Sequence, residues 1–125
     1  MARILLAEDE DDLRNYVMRA LVQEGHEVVA TADGAEALDK LTRDQGRFEL
    51  LLADIRMPVM DGIALALSAA RDYPDLTILL MTGFADQRER AHGLDALIHD
   101  VITKPFSLSE IKLAVQGALT ARTRK

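Results

Sequence analysis

The chain of 125 residues has no cysteine and no tryptophan. Disulfides, thiolate nucleophiles and thiolate-held metals are therefore excluded, and the redox compartment cannot be read from this source. Aromatic residues make up 4% of the chain, and no apolar run approaches the length of a membrane span. The opening "MARILLAEDEDD" turns acidic after a short apolar run and lacks the apolar core and cleavage site of a secretory signal. A cytoplasmic location and no membrane partner are the expectations. Positive charge is the scarcer sign: 15 Lys and Arg face 21 Asp and Glu, for a net charge of −6. That balance argues against a nucleic-acid surface. The basic residues Arg122, Arg124 and Lys125, within 120–125, read as a frayed, solvated end of the chain.

What is present is the composition of an ordinary globular domain, 49% apolar and 29% charged. Apolar strand-like runs alternate with helical patterns. "RILLA" (Arg3 to Ala7) precedes a helix with Leu13, Tyr16, Val17, Ala20 and Leu21 on one face, ended by Gly25. "EVVAT" is the second strand, and the next helix starts at Asp33 with Glu36 completing an acidic variant of the capping box. "LLLAD" is the third strand, followed by a helix after Gly62. "TILLM" is the fourth, followed by a helix capped by Asp86 with Glu89 three residues on. "DVIT" is the fifth, and the last helix opens on "SLSE", with Ser107 as N-cap, Glu110 as its partner and Leu108, Ile111, Val115, Ala118 and Leu119 on its face.

Strands alternating with helices in this way give an α/β fold with a parallel sheet. Strands one, three and four are apolar throughout, as central strands covered on both faces must be, whereas "EVVAT" reads as an edge. No linker, repeat or low-complexity tract interrupts the chain, so a single domain over 1–125 is expected.

In such sheets ligands bind beyond the carboxyl ends of the strands. The residues there are Glu8 and Asp9 after strand one, Asp54 ending strand three, Thr82 at strand four and Lys104 at strand five. Clustered carboxylates repel one another and call for a cation. Oxygen ligands without His or Cys suit a hard ion such as Mg²⁺. A carboxylate can also accept a phosphoryl group as an acyl phosphate, a reaction helped chiefly by positioning and positive charge. Asp54 stands alone at the end of a central strand and is the nucleophile candidate, with Glu8 and Asp9 as a metal-holding pair. Lys104 would supply charge and Thr82 a hydroxyl. His26, His92 and His99 show no ligand spacing, and Met57 and Met60 read as packing for the loop after Asp54.

Together "ILLAEDEDDLR", "LLADIRMPVMDG", "ILLMTGFAD" and "ITKPF" resemble the receiver domain of two-component response regulators, in the right order and over essentially the whole chain. The resemblance implies a five-stranded parallel sheet of order 2-1-3-4-5 with five helices, the flavodoxin-like receiver fold. It implies that a histidine kinase or histidine phosphotransferase phosphorylates Asp54, and that Mg²⁺ is held by Glu8, Asp9, Asp54 and the backbone carbonyl of Arg56. Thr82 and Lys104 match the switch hydroxyl and the conserved lysine, and the bond before Pro105 is expected to be cis. Glu8 stands where Asp is commoner. Val101 occupies the place of an aromatic switch residue, which shifts the expected signalling role to Phe84. The chain is also similar to stand-alone receivers that act as adaptors of the ClpXP protease, which implies a Clp unfoldase as partner, a cell-cycle setting and no effector domain.

The leading expectation is a regulatory phosphoacceptor rather than an enzyme, its output being protein binding. The alternative is a relay intermediate that passes its phosphoryl group to a histidine phosphotransferase. An aspartyl phosphoester hydrolase usually needs a second carboxylate two residues after the nucleophile, where this chain has Arg56. A flavin-type binder would need a phosphate loop after strand one, and none follows it.

Overall fold

A computed structural model describes residues 2–83, 89–91 and 93–123. Its elements follow in order: β1 (Arg3–Ala7), α1 (Asp11–Gln23), β2 (Glu27–Thr31), α2 (Gly34–Arg43), β3 (Leu50–Asp54), α3 (Gly62–Asp72), β4 (Thr77–Thr82), β5 (Asp100–Thr103) and α4 (Leu108–Thr123). The five strands form one parallel sheet of order β2-β1-β3-β4-β5. A helical turn at 89–91 lies where the sequence places the helix between β4 and β5. Asp86, the cap expected for that helix, lies outside the described residues.

The apolar strands are explained by burial on both faces. Along β1, β3 and β4, successive side chains point to opposite sides. Leu5, Leu51 and Ile78 meet Leu41 of α2 and Leu65 of α3, with Leu94 and Ile98 before β5. Ile4, Leu52 and Leu79 meet Val17 and Leu21 of α1 and Ile111 and Val115 of α4. Each fully buried aliphatic side chain is worth about 1.5–3 kcal/mol in transfer free energy, so the sheet centre holds most of the driving force. β2 is one edge, as "EVVAT" suggested, and β5 is the other.

Helix starts follow their capping chemistry. Asp33 accepts from the Glu36 amide at 2.8 Å, but the Glu36 carboxylate turns back to the Ala32 amide (3.5 Å) rather than to that of Asp33. At α4 the box is reciprocal: Glu110 N–H donates to Ser107 Oγ at 3.1 Å, and Ser107 N–H to Glu110 at 2.9 Å. Two residues depart from the expected inner faces. Tyr16 is 41% exposed and Leu108 is 39% exposed. Both line a shallow groove between α1 and the start of α4. Tyr16 sits at the margin of the α1 stripe, where its phenol stays wet, and Leu108 is the first residue of its helix.

At the other end, α4 continues to Thr123 and the Arg122 guanidinium donates to the Asp75 carbonyl, so this part of the basic tail is tied to the fold. Arg124 and Lys125 lie outside the described residues.

Candidate functional site

The parallel registers decide which side chains meet. Ala7 pairs with Ala53, Asp54 with Met81, and Thr82 with Thr103. Glu8, Asp54, Thr82 and Lys104 therefore emerge on one rim. Glu8, Asp54 and Thr82 are buried, while Asp9 is exposed. Glu8 is fixed through its backbone: its amide donates to the Thr31 carbonyl at 3.1 Å, and its own carbonyl accepts from Arg14 at 2.9 Å. Lys104 is fixed by its amide, which donates to the Thr82 carbonyl at 2.8 Å, and the Lys104–Pro105 bond is cis.

The side chains then converge. Lys104 Nζ donates to Glu8 Oε1 at 2.9 Å and to Asp54 Oδ2 at 3.0 Å. Glu8 Oε2 accepts from the Glu10 amide at 3.0 Å. Burial is the main influence on both acids. It pushes the Glu8 carboxyl up to about 6, against the Glu10 amide and Lys104, which hold it down. Burial raises Asp54 as well; Lys104 and the Arg56 amide oppose this, and the Asp9 charge adds to it. Burial also works against the Lys104 charge, but its bonds to Glu8 and Asp54 outweigh that and leave its pKa raised. An ammonium stabilised by two carboxylates stays charged, and its charge favours the ionised form of Asp54 against the effect of burial.

Carboxylate oxygens of Glu8, Asp9 and Asp54 lie within 4.8 Å of one another. All are hard oxygen donors, and three negative charges against one ammonium leave an excess that suits a divalent cation. They open on a cleft of about 490 Å³, also lined by Glu10, Arg56, Gly83 and Lys104. The volume admits a hydrated ion together with a phosphoryl group.

Of the expected switch residues, Thr82 is buried at the end of β4. Val101 is half-buried on β5 and packs on the core face shared with α2 and α3. Phe84 lies outside the described residues, as does His92. His26 accepts from the Ala2 amide at 3.1 Å, and Met57, in the loop after Asp54, is buried in the core cluster shared with α2 and α3.

The sequence did not reveal two backbone contacts. A Cβ on Gly62 would fall 2.2 Å from the Asp54 carbonyl oxygen, and one on Gly34 would fall 2.3 Å from that of Met60. The only signal was a glycine directly after a capping Asp in each case. The Glu8–Lys104 pairing was also missed; 96 positions separate the two residues.

A doubly covered parallel sheet with an acidic cluster, a hydroxyl and a lysine at its carboxyl rim defines a class, and the sequence confirms it. Residues 4–116 match the response regulator receiver domain, and the chain belongs to that family. It is 40% identical to the response regulator receiver protein CpdR of Brucella abortus, over 97% of this chain and 99% of that one. It is 38% identical to the response regulator MprA of Mycobacterium tuberculosis, covering 98% of this chain but only 52% of that one. Among solved structures, the response regulator TrrA of Thermotoga maritima, crystallised with Mg²⁺ and BeF, is 29% identical with a TM-score of 0.83, over 94% of this chain and 99% of that one.

Proposed function

We propose that the chain is a phosphorylation switch whose acceptor is Asp54. The observation that carries this reading is the Asp54 carboxylate at the end of a central strand, bonded to Lys104 at 3.0 Å beside Glu8 and Asp9. An Asp54 oxygen attacks the phosphorus of a phosphohistidine on a kinase or phosphotransferase. The new P–O bond gives an acyl phosphate, the P–N bond breaks, and the imidazole leaves with its electron pair and takes up a proton. Lys104, already at Asp54, offsets the charge on the transferred oxygens, and Thr82 supplies a hydroxyl donor from β4. Glu8, Asp9 and Asp54, with the Arg56 carbonyl, would hold Mg²⁺, which supplies positive charge at the phosphoryl oxygens. The only reactions the protein catalyses are its own phosphorylation and dephosphorylation, and hydrolysis returns the carboxylate.

The output is protein binding. Similarity to adaptor receivers, together with 40% identity to CpdR over nearly its full length, supports a part in regulated proteolysis through a Clp unfoldase. The unphosphorylated form would be the one that binds.

Intact mass after treatment with acetyl phosphate and Mg²⁺ tests the acceptor. One phosphoryl group is expected on the wild type and none on Asp54→Ala. Full modification of Asp54→Ala, or undiminished modification in EDTA, would sink the assignment. Pull-downs with wild type and Asp54→Ala test the output. Loss of the phosphoryl group to a histidine phosphotransferase would favour the relay alternative.

A further inference from the structure

The amino end of the sheet, opposite the Asp54 rim, carries a cavity of about 240 Å³ between the starts of β4 and β5 and the end of α4. Its lining contains no acidic residue, although the chain holds 21 Asp and Glu against 15 Lys and Arg. The polar residues on it are Arg122 of α4, His99 before β5 and Thr77 of β4, and Leu97 and Ala121 contribute apolar wall. Leu97 is 45% exposed, an aliphatic side chain that the core leaves half uncovered.

Arg122 is the unusual member. Arg3, Arg14, Arg43, Arg71 and Arg90 each pair with a carboxylate. Among the described residues, half-buried Arg122 bonds only to main-chain carbonyls: Nη1 donates to that of Glu49 at 3.5 Å and to that of Asp75. Those bonds anchor the guanidinium through one nitrogen. Nε and Nη2, the edge whose parallel N–H groups match a carboxylate, remain uncommitted. A half-buried cation without a counter-ion, in the wall of a cavity without acids, calls for an anion.

We propose that this cavity binds a short aliphatic carboxylate, with its oxygens on the Nε–Nη2 edge of Arg122 and its apolar body against Leu97 and Ala121. The volume is the share of about eight liquid waters, which is room for about eight non-hydrogen atoms. A bare phosphate would meet the charge and leave the apolar wall wet. The same chemistry occurs in a free branched-chain acid and at the carboxyl terminus of a polypeptide ending in leucine. One charge-assisted contact in a cavity open to solvent supports a Kd of about 1 mM. Asp54 ends β3 at the opposite end of the sheet, so an occupied cavity leaves the phosphorylation rim clear.

The test is an amide NMR titration of the full, ¹⁵N-labelled chain. The probes are 4-methylpentanoate, its uncharged amide, inorganic phosphate, and a short peptide ending in leucine with its carboxyl end either free or amidated. The free carboxylates should give saturable shifts at Leu97, His99 and Ala121, and the two amidated probes should bind about tenfold more weakly, the size of one lost charge-assisted contact. Tighter binding of the free-ended peptide than of 4-methylpentanoate assigns a chain end as the ligand, and the reverse order assigns a free acid. Arg122→Gln should weaken both by about tenfold. Equal binding of the amidated probes or of phosphate, unchanged affinity in Arg122→Gln, or no saturable shift with any probe overturns the proposal. Arg122→Gln also loosens the ties to Glu49 and Asp75, so its phosphorylation by acetyl phosphate checks that it is folded. Should it not fold, Leu97→Glu replaces it: a carboxylate at this exposed position must weaken binding by repulsion, and unchanged affinity there overturns the proposal equally. None of these readings depends on Asp54, so the switch reading stands or falls separately.

Discussion

Replacing Glu8 by Gln should change how stability depends on pH, with a sign and size set by the site. The Glu8 carboxyl is lifted from 4.5 to about 6, chiefly by burial. Between these values the folded protein holds a proton that the unfolded chain has released. Stability therefore falls as pH rises through this window and stays lower above it. A rise of about 1.5 units corresponds to about 2 kcal/mol at 1.36 kcal/mol per unit. The side chain is wholly buried, so bulk solvent screens little of it. Asp44 and Asp72, held down by hydrogen bonds from Arg3 and Arg71, change stability in the opposite direction with pH, so the raw profile is a mixture. Subtracting the variant from the wild type removes them. Glu8→Gln keeps the length and an oxygen for the Glu10 amide but never ionises. Urea denaturation in EDTA, at about pH 4 and about pH 7.5, should show the variant gaining about 2 kcal/mol on the wild type at the higher pH. The Lys104 attraction needs no separate correction, because it is among the influences that already hold the Glu8 carboxyl down to about 6. If the two proteins keep the same stability difference at both pH values, the burial argument fails.

Gly62→Ala would drive a methyl group against the Asp54 carbonyl oxygen, 2.2 Å away; backbone must shift, at about 1–3 kcal/mol as for overpacking, with slower phosphorylation in the mass assay, and unchanged stability and rate would refute the contact. Val59 is 85% exposed and has φ of +69°, in the left-handed region. Val59→Gly should relieve about 1–2 kcal/mol of strain against about 0.5–1 kcal/mol of added unfolded-state entropy, so denaturation should show a small gain, and a clear loss would contradict it. His26 is held below 6.5, first by burial and then by the chain's amino terminus. Its neutral form is favoured on folding, so its contribution is present above pH 6.5 and lost as pH falls through the folded value. An imidazole NMR midpoint at or above 6.5 would be inconsistent with this.

The strands were legible in the sequence because burial on both faces leaves an uninterrupted apolar run, as in "LLLAD" and "TILLM". The acids and Lys104 were legible because each directly ends or follows such a run. Contacts that depend on register were not. Nothing in the order of residues shows that β1 and β5, separated in the sheet by β3 and β4, let Lys104 reach Glu8. Amphipathic margins were also hidden: Tyr16 has helical spacing to Ala20, but the phenol stays at the surface. The close approaches at Gly34 and Gly62 are defined by a missing atom, and a sequence does not say which glycine needs its bareness.

Those two glycines also bear on mechanics. Gly62 abuts the carbonyl of Asp54, and its amide donates to the Ile55 carbonyl at 2.8 Å. Gly34 abuts the carbonyl of Met60, and its amide donates there at 3.1 Å. The end of β3, the start of α3, the loop between them and the start of α2 are thus stacked peptide on peptide, with no side chain in between to yield. Such a stack is stiff: a push on the Asp54 backbone is borne by two helices at once and moves little. Compliance has to lie on the other flank of Asp54, where β4 gives way to the edge strand β5 and, among the described residues, the Lys104 ammonium is held by two side-chain oxygens. A force applied at one carboxylate is thereby steered to one side of the sheet by glycines on the opposite side.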